Sequence, residues 1–229
     1  TPIKSSAASD VYKRQVLILG AGISGLGAAH VLLKHGVSVL ISDLKDTIQD
    51  KKEKEALSER GAVFVFGTQT ESLLDGIDTV VVSPVIPAEN PIVAAAVKKR
   101  IPVISEIELA YRVTKATILA ITGTNGKTTT TTLISKFLEA QGKKVYLGGN
   151  IGKALMPELE TITENDIAVV ELSSFQLLTM GNMKNTPDVA VVTNIECTHQ
   201  DHHVNLDEYV DAKRNILIYQ NSNCRTVLN

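Results

Sequence analysis

The amino-acid sequence predicts an α/β protein built from two successive parallel-sheet domains. From Val16 onward, short and continuously apolar segments alternate with segments of helical spacing, and the alternation starts again after a seam between Tyr111 and Ala116. Continuously apolar strands between helices are typical of a parallel sheet that is covered on both faces. Composition agrees, because 44% of the 229 residues are hydrophobic and 21% are charged, which suits a globular chain with more than one core.

The first alternation covers residues 16–113. VLILG predicts a buried strand, ISGLGAAHVLLKHG a helix that ends at Gly36, and VSVLISD a second strand. A charged helix to Arg60, the strands AVFVF, DTVVVSP and IPVIS, and a helix with Pro91 in its first turn follow. Residues 1–15 are polar and aperiodic, and SAASDVYKRQ resembles translated sequencing-adapter read-through. A disordered or artefactual tail is expected there.

The second alternation covers residues 114–229. ATILAITG predicts a strand, GKTTTTTLISKFLEAQG a helix that ends at Gly142, and KVYLGGN, DIAVVELSS and DVAVVTN three more strands. NLDEYVDAKRNILIYQN has helical spacing, and CRTVLN begins one further strand without a closing helix. This second domain is therefore expected to be incomplete.

The segment GTNGKTT, Gly123 to Thr129, lies between a predicted buried strand and a predicted helix. In that context, successive backbone N–H groups and the helix N-terminus converge on an anion. Lys127 is placed to reach the β- and γ-phosphates of a nucleotide, and Thr128 to offer its hydroxyl to Mg²⁺. Ile121 replaces the first glycine of the usual G-x-x-x-x-G-K-[ST] pattern. The prediction is a P-loop-type phosphate site of a variant class, not an ordinary GTPase or kinase loop.

A second glycine loop, GAGISG, runs from Gly20 to Gly25, and Asp43 ends the next strand about 20 residues on. This Rossmann-like fingerprint places a diphosphate at a helix N-terminus and a ribose hydroxyl at Asp43. By itself it favours NAD, but the second nucleotide loop favours a nucleotide-diphosphate ligand here. Glycines that only permit tight strand–helix packing, with nothing bound, are the remaining alternative.

Polar residues follow two further strands at the sheet edge where α/β proteins bind ligands. Glu171 ends one strand, and Ser173, Ser174 and Gln176 follow it, although a single glutamate after a strand is more often a helix cap or a surface residue. VVTNIECTHQDHH ends another strand with clustered histidines. One such cluster is weak evidence for zinc.

Three of the remaining candidates are histidines. His202 and His203 are interpreted as solvated loop residues, whereas the role of His199 stays open. By composition, Lys213 is an ordinary surface lysine on the following helix.

Composition and charge exclude several classes of function. A formal net charge of -2 argues against a nucleic-acid or membrane-surface protein. No apolar run approaches the roughly 18–20 residues that span a bilayer, and no signal peptide is evident. Cys197 and Cys224 form neither a disulfide framework nor a C-x-x-C motif. We expect a cytoplasmic protein without nucleic-acid partner or membrane insertion.

The phosphate loop, GGNIG at Gly148 to Gly152 and NIECTH at Asn194 to His199 resemble the Mur ligases of peptidoglycan synthesis. The resemblance extends from Val16 to Asn229, and ELSSFQL, Glu171 to Leu177, is similar to the members that add D-glutamate. It implies ATP-dependent amide-bond formation between UDP-N-acetylmuramoyl-L-alanine and D-glutamate through an acyl phosphate, with two Mg²⁺ ions. A monomer is expected. The family's C-terminal amino-acid-binding domain lies outside this sequence, so a fragment that is inactive by itself is also expected.

The resemblance also assigns site residues. It implies ATP contacts from Gly123, Thr124, Asn125, Gly126, Lys127, Thr128 and Thr129. It implies catalytic roles for Lys127, Glu171, His199 and Lys213, and Mg²⁺ ligands in Thr128, Glu171, His199 and, once carbamylated, Lys213. It implies contacts with the UDP-sugar substrate from Ile23, Ser24, Asp43, Leu44, Lys45, Ser83, Pro84, Asn150, Ser173 and Gln176.

Two alternative functions remain at this stage. An NAD-binding oxidoreductase built on the first glycine loop leaves GTNGKTT unexplained. The second alternative is another Mur ligase or a folylpolyglutamate-type ligase, which shares that loop. The segment ELSSFQ argues against each of these two kinds of ligase.

Overall fold

Each half of the chain forms its own parallel sheet. The computed structural model describes residues 15–46, 48–83, 86–87, 89–151, 155–159, 161–180, 186–196 and 206–229, except the side chains of Phe175 and Thr179. The chain divides into two compact units, Thr1–Val113 and Thr114–Asn229. The strands described in each unit form one five-stranded sheet in which all neighbours are parallel. The predicted α/β class with two successive parallel-sheet domains is confirmed.

The first unit alternates strands and helices along the chain. Its described strands are β1 (Gln15–Leu19), β2 (Ser38–Asp43), β3 (Val63–Phe66), β4 (Thr79–Val82) and β5 (Val103–Ser105). Its described helices are α1 (Ile23–Lys34), α2 (Lys51–Glu59), α3 (Pro91–Lys98) and α4 (Glu106–Val113), with a 3-10 turn at Glu71–Leu74. The strand order β3-β2-β1-β4-β5 places β1 at the centre. The chain direction across the sheet reverses between β1 and β4, and the crevice beyond their carboxyl ends is where such sheets bind ligands.

Capping side chains set the starts of α2 and α3. Asp50 accepts hydrogen bonds from the N–H groups of Lys52 and Glu53 at 2.9 and 3.2 Å. Asn90 caps α3 through its side-chain oxygen. Pro91 follows it in the first turn, where a helix has no intrahelical use for the missing N–H.

An apolar cluster holds β1 in place. Leu17 and Leu19 lie on the face of the sheet that packs against α3 and the 3-10 turn, and neither is exposed. The cluster also contains Leu73, Leu74, Ile77, Val80, Ile92, Ala95 and Ala96. Burying a leucine or isoleucine side chain stabilises a fold by about 1.5–3 kcal/mol. The cluster therefore fixes the carboxyl end of β1, from which the first glycine loop starts.

The second unit repeats the alternation with a different strand order. Its described strands are β6 (Thr117–Thr122), β7 (Val145–Gly149), β8 (Ile167–Glu171), β9 (Val189–Val192) and β10 (Arg225–Leu228). Its described helices are α5 (Lys127–Ala140), α6 (Ser174–Met180) and α7 (Leu206–Arg214), with a 3-10 turn at Met156–Glu158. The order β10-β9-β6-β8-β7 places β6 between β8 and β9. The residues that follow these three strands are therefore neighbours at one edge of the sheet.

We predict that Gly25→Ala destabilises the first unit. A Cβ atom at Gly25 would lie 2.0 Å from the carbonyl oxygen of Gly20, a backbone atom that cannot rotate away. The expected loss in the free energy of unfolding is about 1–3 kcal/mol or more, measured by chemical denaturation. Gly22→Ala is the matched control. A Cβ there meets nothing within 4 Å, so the loss is expected to stay at about 1 kcal/mol or less, the cost of alanine as an N-cap. Equal losses in the two variants would contradict the prediction.

We also predict that Glu108 makes stability fall with rising pH. Its side chain is 1% exposed and accepts a hydrogen bond from Arg112 Nη2 at 2.6 Å. Burial raises the pKa of Glu108 from 4.5 to about 8, although the Arg112 guanidinium acts to lower it. The folded chain therefore holds this proton between those two values, whereas the unfolded chain has released it. The free energy of unfolding then decreases as pH rises through that window.

The variant Glu108→Gln separates the contribution of Glu108 to the pH dependence of stability from the contributions of all other titratable groups. Glutamine resembles the protonated side chain, so the variant and the native chain are expected to melt alike at about pH 4, below the unfolded pKa, and the variant to melt higher at about pH 9. Glu59→Gln, at an exposed position of α2, is the control and should leave the pH profile unchanged. Destabilisation by Glu108→Gln at about pH 9 would contradict the prediction, because it would mean that the ionised carboxylate stabilises the fold.

Candidate functional site

The first glycine loop lies at the carboxyl ends of β1 and β4. Gly20 has a φ of 103°, and a Cβ atom there would lie 2.7 Å from Ser83 Oγ, just after β4. The loop and the end of β4 are therefore in contact across the point where the strand order reverses. At Gly25 the carbonyl of Gly20 leaves no room for a Cβ atom, whereas at Gly22 a Cβ atom would meet nothing within 4 Å. A diphosphate that approaches the start of α1 would therefore meet no side chain at Gly22.

Asp43 ties the first glycine loop to the end of β2. Its Oδ2 accepts a hydrogen bond from the Ala21 N–H at 2.8 Å, and its Oδ1 accepts one from the Lys45 N–H at 3.3 Å. The sequence predicts a ribose contact for Asp43. The described contacts of its carboxylate are with backbone N–H groups, so Asp43 also fixes the loop.

The hydroxyl of Ser83 is a buried polar atom in this crevice. Ser83 is 5% exposed, and its Oγ has no hydrogen-bond partner within the described part of the chain. A buried hydroxyl without a partner costs free energy, and this one faces the loop at Gly20. A ligand that donates or accepts a hydrogen bond there would remove the cost.

The other predicted UDP-sugar contacts of this unit are distributed around the loop. Ile23 and Leu44 are exposed by 76% and 65%, large values for apolar side chains. Ser24 is half-buried at the start of α1, and Lys45 is exposed after β2. Pro84 lies outside the described residues. All five positions therefore stay predictions as substrate contacts.

The phosphate loop is short because β6 continues through the position of the missing glycine. Ile121 is fully buried and pairs with Glu171 of β8 and Val191 of β9. The left-handed backbone that the loop needs occurs at Gly123, with a φ of 151°, and at Gly126, with a φ of 78°. A glycine is thus required at position 123, after the end of β6, and not at position 121, which belongs to the strand.

Lys127 folds back onto this loop. Its Nζ donates hydrogen bonds to the carbonyl oxygens of Gly123 and Thr124 at 3.0 and 2.8 Å. Gly126 is the N-cap of α5 and has no capping side chain. The first N–H groups of a helix have no intrahelical acceptor, so the loop combines unpaired backbone donors with a positive charge. That arrangement is suited to an anion.

Thr128, Glu171 and Asn150 converge at the carboxyl end of β8. Glu171 is 1% exposed; its Oε2 accepts a hydrogen bond from Thr128 Oγ1 at 2.8 Å and its Oε1 accepts one from Asn150 Nδ2 at 3.0 Å. Asn150 also donates its backbone N–H to the Glu171 carbonyl at 2.9 Å. A hydroxyl and a carboxylate at this distance are oxygen donors of the kind that Mg²⁺ prefers. Asn150, predicted as a substrate contact, holds the carboxylate in place.

Lys213 is not the surface lysine that composition suggests. It lies on α7 with 2% exposure, and its Nζ donates to the Gly123 carbonyl at 3.0 Å and to Thr122 Oγ1 at 3.4 Å. Burial and, after it, the positive charge of Lys127 lower the pKa of Lys213 from 10.5 to about 8. The structure therefore brings both predicted catalytic lysines to the same carbonyl of the phosphate loop.

Ser173 and Gln176 form a capping box at the start of α6. The Ser173 N–H donates to Gln176 Oε1 at 2.9 Å, and the Gln176 N–H donates to Ser173 Oγ at 3.2 Å. This reciprocal pair is the S-x-x-Q arrangement that satisfies two N–H groups of a helix start. The sequence predicts substrate contacts for both residues, and those contacts stay predictions, because the described hydrogen bonds serve the helix.

Tyr209 is among the residues that support the loop and that sequence reasoning missed. Tyr209 of α7 is 6% exposed, and its hydroxyl lies 3.0 Å from Thr124 Oγ1. Its ring centroid lies 4.5 Å from Lys213 Nζ, a cation–π contact. The sequence did contain one indication of this role, because Tyr209 and Lys213 are four residues apart and so lie on the same face of the helix. A tyrosine ring at such a position is usually interpreted as part of the apolar core, so the role was missed.

His199, the predicted ligand of a second Mg²⁺, lies outside the described residues. In the part of the chain that is described, no three His, Cys, Asp or Glu side chains gather as a metal cluster. Nor does any helix of that part combine the length and apolar character that crossing a bilayer requires.

Comparison with known families covers both units. The Mur ligase MurD-like N-terminal domain model matches residues 14–105, and the Mur ligase middle domain model matches residues 121–229. The chain belongs to the Mur ligase family.

Curated Mur ligases resemble the chain over most of its length. A UDP-N-acetylmuramoylalanine--D-glutamate ligase of Streptococcus mutans serotype c is 44% identical over 204 residues, which are 89% of this chain and 45% of the relative. The ligase of the same name from Clostridium beijerinckii is 39% identical over 219 residues, 96% of this chain and 47% of the relative. The chain thus spans about half the length of the curated relatives it matches.

Solved structures of Mur ligases show the same fold. UDP-N-acetylmuramate:L-alanyl-gamma-D-glutamyl-meso-diaminopimelate ligase from Neisseria meningitides superimposes with a TM-score of 0.57 at 20% identity, over 94% of this chain and 71% of that one. UDP-N-acetylmuramate-alanine ligase from Thermotoga maritima gives 0.52 at 22% identity, over 93% of this chain and 48% of that one. At these identities the likeness concerns the fold.

We predict that the charge of Lys127 contributes to the low pKa of Lys213. In Lys127→Met, the pKa of Lys213 should rise above about 8 but stay below 10.5, because burial is the larger cause and remains. The measurement is an NMR titration of ¹³Cε-labelled lysines, with the Lys213 signal assigned through Lys213→Arg. Lys136→Met, on an exposed part of α5, is the control. An unchanged Lys213 titration in Lys127→Met would show that the two charges are not coupled.

Proposed function

We propose that this chain carries the UDP-substrate and ATP sites of a ligase that joins D-glutamate to UDP-N-acetylmuramoyl-L-alanine. One observation carries the proposal. The buried Glu171 carboxylate, the Thr128 hydroxyl and the phosphate loop with Lys127 come together at one sheet edge. The names of the curated relatives give the same reaction, although those proteins are about twice as long. The proposal includes a cytoplasmic monomer that makes a peptidoglycan precursor.

The reaction class follows from the charges that the site would bring together. An ATP-dependent ligase activates a carboxylate as an acyl phosphate, and the amine of the amino acid then displaces phosphate. Both the carboxylate and the polyphosphate are anions, so their approach requires positive charge. Lys127 would neutralise the transferred phosphate, and the N–H groups at the start of α5 would hold its oxygens. Mg²⁺, when bound, supplies the further charge neutralisation that lets the anions approach.

The described residues fit one Mg²⁺, and we propose a second ion on the resemblance to the Mur ligases. Thr128 and Glu171 would hold the first ion, with Asn150 orienting the carboxylate. Lys213 would contribute to the second as a carbamate, together with His199. A pKa of about 8 favours this modification, because the neutral amine is the form that reacts with carbon dioxide, and a carbamate is an anion where an ammonium could not bind metal.

The first unit would bind the uridine diphosphate end of the substrate. The open position at Gly22 and the unpartnered Ser83 hydroxyl face the crevice at the end of β1. These features suit a diphosphate at the start of α1. They also suit NAD, which keeps an oxidoreductase as the second candidate, but the phosphate loop of the second unit has no role in that chemistry.

The test is calorimetric titration of the 229-residue chain with UDP-N-acetylmuramoyl-L-alanine, with UDP and NAD⁺ as comparisons. We expect the muramoyl nucleotide and UDP to bind and NAD⁺ not to bind. Ser83→Ala should weaken UDP binding by about fivefold to tenfold, the effect of one hydrogen bond. Ser38→Ala, at an exposed position at the start of β2, is the matched control. Binding of NAD⁺ without UDP would overturn the ligase assignment.

A further inference from the structure

The end of β9 holds the backbone of the phosphate loop. We propose that Thr193 and Asn194 are positioning residues that set the orientation of the peptide group between Asn125 and Gly126, so that the Gly126 N–H faces a bound phosphate. This inference rests on the proposed function, because it concerns the same phosphate site. It adds two residues that sequence reasoning did not assign to the site.

Asn194 pairs with the loop through both its side chain and its backbone. Its Oδ1 accepts the Asn125 N–H at 2.9 Å, and its Nδ2 donates to the Asn125 carbonyl at 3.0 Å. Its own carbonyl accepts the Thr124 N–H at 2.9 Å. The amide of one side chain thus satisfies both backbone groups of Asn125, as a neighbouring strand would.

Thr193 adds the shortest of these contacts. Its Oγ1 donates to the Asn125 carbonyl at 2.6 Å and lies 3.3 Å from the Thr122 carbonyl. The side chain is packed against the loop, since a Cβ atom at Gly123 would lie 1.9 Å from Thr193 Oγ1. The Asn125 carbonyl therefore receives hydrogen bonds from two side chains at the end of β9.

The direction of that carbonyl decides what the next N–H does. In a trans peptide the C=O and the following N–H point in opposite directions. Hydrogen bonds that turn the Asn125 carbonyl toward β9 therefore turn the Gly126 N–H away from β9. If this peptide flipped, its carbonyl oxygen would face the anion site and repel a phosphate.

This peptide needs external support because of the residues on either side. Gly126 adopts a φ of 78° and has little steric preference that would prevent a flip. The loop is also short, since Ile121 belongs to β6 instead of to a glycine turn. The N–H groups of Thr124 and Asn125 already have acceptors on Asn194. From Thr124 onward, the first N–H group of the loop without a described acceptor is that of Gly126, so its orientation matters for binding a phosphate.

Separate contacts hold the side chains of the loop. Thr124 Oγ1 accepts the Glu196 N–H at 2.9 Å and contacts the Tyr209 hydroxyl, and Asn125 Nδ2 donates to Glu196 Oε2 at 3.0 Å. Because none of these contacts involves Thr193, a change at that residue is expected to leave the loop in place while its peptide orientation relaxes.

The experiment compares Thr193→Val with Thr193→Ser in the 229-residue chain. Valine keeps the shape and removes the donor, whereas serine keeps the donor. The probe is inorganic tripolyphosphate with Mg²⁺, which has no base or ribose, and its affinity is measured by calorimetry. We expect Thr193→Val to bind about fivefold to tenfold more weakly and Thr193→Ser to stay within about twofold of the native chain. The ¹H–¹⁵N signal of Gly126 should shift on binding in the native and serine chains and less in the valine chain.

The outcomes separate this inference from the proposed function. Native affinity and a native Gly126 shift in Thr193→Val, with binding lost in Lys127→Met, would overturn the inference and leave the phosphate site standing. Absence of tripolyphosphate binding to the native chain would overturn both. If Thr193→Val does not fold, Asn194→Asp decides, because it places a carboxylate oxygen against the Asn125 carbonyl while it keeps the acceptor for the Asn125 N–H. Native affinity in Asn194→Asp would then overturn the inference.

Discussion

In the second unit two lysine side chains share one carbonyl of the phosphate loop, and this contact ties α5 and α7 to the loop. Lys127 and Lys213 each donate to the Gly123 oxygen at 3.0 Å, from the first turn of α5 and from α7. Two positive charges in a partly buried position repel each other, and part of the cost appears as the lowered pKa of Lys213. An anion bound at the loop would offset that repulsion. As an amine, Lys213 adds positive charge at the loop; the carbamate proposed above would remove that charge and leave Lys127 as the cation that faces the phosphate, with the buried Glu171 carboxylate at the same sheet edge.

The same construction occurs in both units. In each, a central strand ends at a glycine with a positive φ, Gly20 after β1 and Gly123 after β6. In each, a hydroxyl residue from the end of a neighbouring strand closes the space where a side chain would be, Ser83 in one unit and Thr193 in the other. A parallel sheet brings strand ends together at one edge, so loops that are distant in sequence can be fixed by short side chains. The units differ in that the first leaves its hydroxyl without a described partner and the second uses it within the loop.

Sequence motifs and hydrogen bonds carry different information about the segment after β8. ELSSFQL points to the D-glutamate-adding ligases by resemblance, yet the described contacts of Ser173 and Gln176 form a capping box at the start of α6. These observations are compatible, because a cap fixes where α6 begins and so where the residues after Glu171 lie. Asn150 also has two structural roles. Its side chain orients Glu171, and its backbone continues the contact between the ends of β7 and β8. Of the residues whose sequence context suggested substrate contacts, Asn150 thus positions the carboxylate, and Ser173 and Gln176 position the start of α6.

The sequence by itself determined the α/β class, the two parallel sheets, and the placement of two glycine loops between a strand and a helix. These follow from periodicity and from glycine, whose effects are local along the chain. The sequence also indicated Lys127, Thr128 and Glu171 as site residues, since each is next to such a loop or at a strand end. Only the tertiary structure decided that Lys213 is buried, that Asp43 holds the Ala21 N–H, and that Thr193 and Asn194 hold Asn125. These contacts join residues about 20 to 90 positions apart, and they depend on which strands are neighbours in the sheet. Strand order arises from packing over the whole unit, so no local pattern contains it.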